Sequence, residues 1–495
     1  MGEITKETRT YTLPFLAQPI AITTQFRYDS WGRIDTIIYP DNEEVYYHYD
    51  HGGQLREITS YDDIFGYFSY LQNVTYDKFG AKISQQYGNG ITTSYVYDEF
   101  SRRLMEIATS NDSKILYNYD PVGNVTYVYS NYPWRAGFNE SFHYDEADQL
   151  VEAYGNDYYL GIDYGDWGQI NRYYNDIYTN YTYNDNNFGY NDIDITQTSF
   201  APRYQYGTED IEYTYGINGS LRKRDVRNPA TDEYESDYYL FNSQGNMKAY
   251  SNEGVHFAYY GYDASNTRTY KISMSSMNAW LNGAQQDFDF RLQQAMFYPN
   301  AYLNFDAYGN FTKHYYNGTE RICSRLGNTH HEAIFIEVEN NNEFIYHNEA
   351  IKDRYRKDIL ELLGLREDNY IDYYSDYENM TPPTPLMNIP ELRNEANNGE
   401  IFYYHTNHLG STAFVTEQNQ NIIQGFVYAP FGEIVEEYNA NFGNNTIPKY
   451  SFNAKELDEE TGMYYYEARY YAPPTFTSRD PLFEKYFWMS PYAYC

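Results

Sequence analysis

Cysteine is nearly missing from this sequence: Cys323 and Cys495 are the only two in 495 residues. That rules out a disulfide framework and a cysteine-rich metal cluster. Positive charge is also short, with Lys+Arg 35 set against Asp+Glu 70 and a formal net charge of −35. Such a field repels phosphate backbones, and no local basic patch offsets it, so nucleic acid and anionic membrane surfaces are excluded as partners. No run of eighteen apolar residues occurs, so no membrane span is expected. The stretch from Met1 to Ile22 lacks a basic end followed by an apolar core, so it does not read as a signal peptide. Phosphate loops, nucleophile elbows and His-Glu-x-x-His signatures are absent too, and no cofactor is expected.

Aromatic residues are abundant instead. They make up 20% of the chain, with Tyr 65, Phe 28 and Trp 5, and hydrophobic residues reach 42%. The chain can therefore bury a large core.

Many of the tyrosines fall in a repeat. Phe26-Arg27-Tyr28-Asp29 is followed by Gly32, Tyr47-His48-Tyr49-Asp50 by Gly53, Val74-Thr75-Tyr76-Asp77 by Gly80, and Tyr117-Asn118-Tyr119-Asp120 by Gly123. Looser copies surround Asp98, Asp145, Gly216, Asp263 and Asp306. The early Asp residues are 21 to 27 positions apart. Aromatics at i and i+2 of an extended strand share a face, so each copy offers two rings for burial. Asp at the first corner and Gly at the fourth is type I turn chemistry, and a polar then an apolar residue starts the return strand. Each unit reads as a β-hairpin. Since a lone hairpin is marginal in water, the units must join into a twisted sheet that buries both rings.

The pattern loosens between Tyr154 and Tyr206, and the stretch near Met274 to Met296 reads as an excursion from the sheet. Ile351, Tyr355, Ile359, Leu362 and Leu363 predict one helix near 348–364, capped by Asn348 and ended by Gly364. Thr381 to Pro390 reads as a Pro-rich connector.

Motifs after Ile401 strongly resemble the bacterial Rhs repeat-associated core. They are Tyr403 to Thr412, Tyr428-Ala429-Pro430-Phe431-Gly432-Glu433, Phe452 to Gly462, Tyr464 to Tyr471, Asp480-Pro481-Leu482 and Ser490 to Cys495. The upstream repeats resemble the YD repeats that precede this core. The resemblance implies a mainly β fold in which stacked hairpins form a spiralling, cocoon-like shell with few helices. It divides the chain into a repeat shell at 1–270, an irregular shell segment with the inserted helix at 271–400, and the core at 401–495.

In that family the shell encloses a C-terminal toxin cargo used against competing cells, and the core frees the toxin by cutting just beyond itself. The resemblance implies secretion or surface display through a dedicated secretion system, with the chain remaining cytoplasmic if it is a relic. The family continues into an Asp-Pro-x-Gly element next to the cut, whereas this chain stops at Cys495. The expectation is therefore a toxin-less fragment that is not an enzyme. Family self-cleavage resembles aspartyl-protease chemistry, which assigns Asp480 as acid/base and Arg479 as its charge partner. Asn407 replaces a family Asp and Ala472 another, and each change is expected to lose a turn-starting carboxylate.

A rival from another class is a carbohydrate-binding surface protein, which needs solvent-facing tyrosine platforms. His405 and His408 fall on opposite faces of a strand without further ligands, and His330-His331-Glu332 is similarly unsupported, so no metal site is expected.

Overall fold

The computed structural model describes residues 2–13, 19–62, 66–165, 170–177, 211–216, 218–228, 233–253, 256–276, 290–306, 309–328, 400–440 and 450–486, with a few short pieces between and after them. The described chain is dominated by antiparallel strands in two large sheets and a small four-stranded one. In the first large sheet, strands from Lys6–Tyr11 to Tyr190–Asp192 pair with their neighbours in chain order, and a short parallel strand, Met387–Asn388, is added beside Ile20–Tyr28. The second large sheet meanders likewise from Ile211–Tyr215 to Ile434–Asn439, and so crosses residues 270 and 400.

The repeat explains the hairpins. The Asp29 carboxylate accepts the amides of Trp31 (2.8 Å) and Arg33 (3.0 Å), while the Gly32 amide donates to the Asp29 carbonyl (3.1 Å). Gly32 takes φ +77°, a left-handed value that glycine adopts without strain. Asp77 and Asp145 hold their turns the same way. Because turns alternate between the two edges of a meander, all these Asp turns line one rim of the first sheet.

The two rings of a unit have different roles. The first is buried at Phe26, Tyr47 (8% exposed) and Tyr117, and half-buried at Tyr95 and Phe142. The second is half-buried at a local bulge, and its hydroxyl reaches back to the preceding hairpin. Tyr49 donates to the Ile34 carbonyl (2.8 Å), Tyr76 to Leu55 (2.9 Å), Tyr97 to Lys82 (3.1 Å), Tyr119 to Leu104 (2.6 Å) and Tyr144 to Val125 (2.9 Å). Tyr262 and Tyr428 repeat the link in the second sheet. Each acceptor begins the return strand of the unit before. The expectation that both rings are fully buried is corrected here: tyrosine is used at the second position because its polar tip has a carbonyl to meet.

The two large sheets pack face to face. Tyr11 to Ile22 meet Leu240 to Phe311, Phe26 to Tyr87 meet Tyr315 to Tyr403, and Phe138 to Ile162 meet Val427 to Val435. Burial alternates along first-sheet strands such as Ile20–Tyr28, as one wet face requires, whereas Thr412–Thr416 is buried throughout. The second sheet is an inner layer, covered on its other side by the four-stranded sheet Glu456–Phe476.

Met274 lies on the paired strand Arg268–Ser276, so the excursion is confined to the segment before Phe290–Asn300, where Trp280–Leu281 pairs with Ala284–Gln285. Most of the helix expected at 348–364 lies outside the described residues; Asp358, Glu361 and Leu362 are helical, with Leu362 buried in the core. The Pro-rich connector and His330-His331-Glu332 also lie outside them, apart from the short strand Met387–Asn388.

Candidate functional site

The C-terminal layer is anchored by charge. Arg268 and Lys271, neighbours on one inner strand, both reach Asp458 of the four-stranded sheet, at 2.7 and 2.9 Å. Arg268 also pairs with Glu456 (2.6 Å) and Lys271 with Glu460 (3.2 Å), while the Tyr470 hydroxyl donates to Asp458 (2.8 Å). Burial works to raise the Asp458 pKa, but the two cations outweigh it and hold the carboxyl below its usual range. A second buried cluster joins the two large sheets: Glu43 accepts from Lys313 (2.6 Å), Arg325 (3.2 Å), Ser60 (2.6 Å) and Tyr70 (2.5 Å). Burial opposes the charge there too, yet Lys313 and Arg325 hold the Glu43 carboxyl down at about 2. Neither cluster has a sequence signature, because each partner is supplied by a distant strand.

Asp480 sits at the far edge of this layer. Its Oδ2 accepts from Arg469 Nη2 at 2.9 Å and its Oδ1 from the Leu482 amide at 2.6 Å. Its own amide donates to the Pro491 carbonyl (2.9 Å), which also accepts from Arg469 Nη1 (3.1 Å). Asp480 and Arg469 thus jointly grip the backbone just before Tyr492, whose hydroxyl donates to the Gly219 carbonyl (2.6 Å).

The charge partner of Asp480 is therefore Arg469, which a sequence reading confined to adjacent residues misses. Arg479 lies over the Phe483 ring (4.8 Å) and beside Gly219 instead. Among the described residues the partners of the Asp480 carboxylate are a guanidinium and an amide, whereas a proton-sharing dyad needs a second carboxylate.

Asn407 keeps its turn. The carboxylate is absent, but the Asn407 Oδ1 accepts the Leu409 (2.9 Å) and Ser411 (3.1 Å) amides in its place. At the other replacement, Ala472 pairs with Thr475 in a hairpin closed by Pro473-Pro474. His405 is buried against the Phe414 ring (4.4 Å) with Nε2 2.9 Å from Thr416 Oγ1, and His408 packs on Tyr117. Their surroundings are aromatic.

No family model matches the sequence. Over 436 residues the chain is 22% identical to toxin subunit YenC1 of Yersinia entomophaga, covering 81% of this chain and 38% of that protein. A crystal structure of TcdB2–TccC3–Cdc42 superposes on 93% of the chain with a TM-score of 0.56 and 17% identity. The chain has the Tc toxin shell fold. A structure of the Photorhabdus luminescens Tc holotoxin pore gives the same TM-score of 0.56 over 96% of the chain, again at 17% identity. The chain spans about a fifth of the length of each solved chain and less than two fifths of YenC1.

Proposed function

We propose that the chain is a wall and inner layer of a toxin-enclosing shell, which contains and presents a toxic C-terminal segment and turns over no substrate. The carrying observation is the similarity to a toxin subunit across 81% of the chain. Burial of the first rings Phe26, Tyr47 and Tyr117 supports containment over sugar stacking, because those faces are closed to a glycan. Release from the cell through a dedicated machine belongs to the same reading. The Asp480–Arg469 grip holds the backbone at Pro491; with an amide and a guanidinium as its partners, Asp480 is an anchor.

The test appends an unstructured reporter segment after Cys495 and follows its digestion by trypsin. Cleavage at least tenfold slower than for the same reporter on an unrelated carrier is expected. Equal rates would overturn the enclosing role.

A further inference from the structure

Three charged side chains meet where the two large sheets touch. Lys313, on strand Asn310–Asn317, places its Nζ against the Asp41 carboxylate and 2.6 Å from Glu43 Oε2. Asp41 and Glu43 belong to the tight turn after strand Ile34–Ile38, in which the Tyr39 amide donates to the Glu43 carbonyl (3.0 Å). The Lys313, Asp41 and Glu43 side chains are 1%, 8% and 0% exposed. The rings of Tyr39 (5.0 Å) and Phe311 (5.4 Å) flank the amine. An amine, a carboxyl in contact with it and a second carboxylate beside both, all closed to water, are the parts that amide formation needs.

We propose that Lys313 Nζ and Asp41 Cγ become joined by an isopeptide bond, with Glu43 as the proton carrier, so that the two large sheets are fastened covalently. Contact with a carboxylate oxygen puts the amine about 3 Å from the carboxyl carbon, the separation of a near-attack pair. In a dry site an ammonium and a carboxylate gain by becoming an amine and an acid, so the Lys313 proton passes to Asp41. The Nζ lone pair then attacks Cγ, the N–C bond forms, and the carbonyl electron pair moves onto oxygen. Glu43 takes the surplus proton from nitrogen and delivers it to the Asp41 hydroxyl, which leaves as water while the carbonyl re-forms. One cation and one anion disappear together, and Glu43 stays balanced by Arg325 (3.2 Å).

The arginines decide which lysine reacts. Arg325, Ser60, Tyr70 and Tyr315 all donate to Glu43 and hold it ionised as the base. Among the described residues Asp41 accepts from Lys313 and the Glu43 amide (3.3 Å) and from no arginine, and burial pushes its carboxyl up toward the neutral, attackable form. At Lys271 the arrangement is reversed. Arg268 binds Asp458 itself (2.7 Å) and keeps it a carboxylate, which an amine does not attack.

The intact mass of the purified full chain tests this. A mass below the sequence value by one water, about 18 Da, is expected, and a tryptic digest should yield one branched peptide joining residues 34–56 to residues 292–321. Lys313→Arg and Glu43→Gln should restore the full mass. Asp41→Asn should give the same branched peptide, because loss of ammonia from an amide leaves the same bond. The parent chain decides the matter however the variants fold: a full mass, or a loss of water confined to a linear peptide, would overturn the proposal. A branched peptide joining Lys271 to Asp458 instead would overturn the role given to the arginines.

Discussion

Arg268 and Asp458 are 190 residues apart in the chain and 2.7 Å apart in the fold, both shut away from water. The pair fastens the terminal sheet to the inner layer, and Lys271 completes it from the same strand.

Removing the carboxylate with Asp458→Ala takes away the one fully buried anion that Arg268 and Lys271 share and leaves them only the less buried Glu456 and Glu460. We expect a loss of roughly 3–5 kcal/mol in urea unfolding, with early proteolysis of the segment after residue 450. A loss near zero would mean that the layer is held by its rings alone.

The hydroxyl links between units make a graded prediction. Tyr49→Phe should cost about 1 kcal/mol, since one hydrogen bond is lost and the ring stays. Tyr47→Ala should cost about 3–5 kcal/mol, because it empties a buried ring site. Equal effects in urea titration would contradict the division between a packed ring and a fastening ring.

Acid should loosen the seam between the sheets. Burial holds His405 down at about 3 and His408 at about 4, so both stay neutral when folded but take up protons near pH 6.5 when unfolded. Their contribution to stability is present above pH 6.5 and is lost as pH falls toward those folded values. For His405 the loss between pH 7.5 and 5 is roughly 2 kcal/mol. His405→Gln should flatten this part of the urea-midpoint profile, and an unchanged slope would show that the imidazole is accessible.

Glu140 should act in the opposite direction. Burial raises its carboxyl to about 7, opposed by a hydrogen bond donated by the Tyr158 hydroxyl at 2.7 Å. Its contribution is full below about pH 4.5 and is lost as pH rises through 7. Glu140→Gln should therefore raise the melting temperature at pH 8.5 and leave it nearly unchanged at pH 4.5.

The purified chain should keep its full length on storage. A shortened product on a denaturing gel that disappears in Asp480→Asn would establish self-cleavage.

The turns and ring pairs were legible in the sequence because their chemistry is local: Asp, Gly and two aromatics lie within seven positions. What the rings meet was not legible. The fastening of Tyr49 to Ile34 crosses a hairpin, and the apposition of Phe26 with Tyr315 through one core depends on the second sheet folding against the first. The partner of Asp480 was misread because Arg479, adjacent in sequence, lies over the Phe483 ring, while Arg469 reaches Asp480 from eleven residues earlier. The turn at Asn407 outlasts the loss of its carboxylate because an amide oxygen accepts backbone protons as a carboxylate does.

The placement of the repeat's Asp turns along a single rim of the first sheet restricts how such a gene can change in length. Gain or loss of two strands together keeps later turns on their rim and their rings inward. Gain or loss of one strand would move every downstream turn to the far rim and break the hydroxyl fastenings there. Copy number in this wall should therefore evolve in steps of whole hairpins.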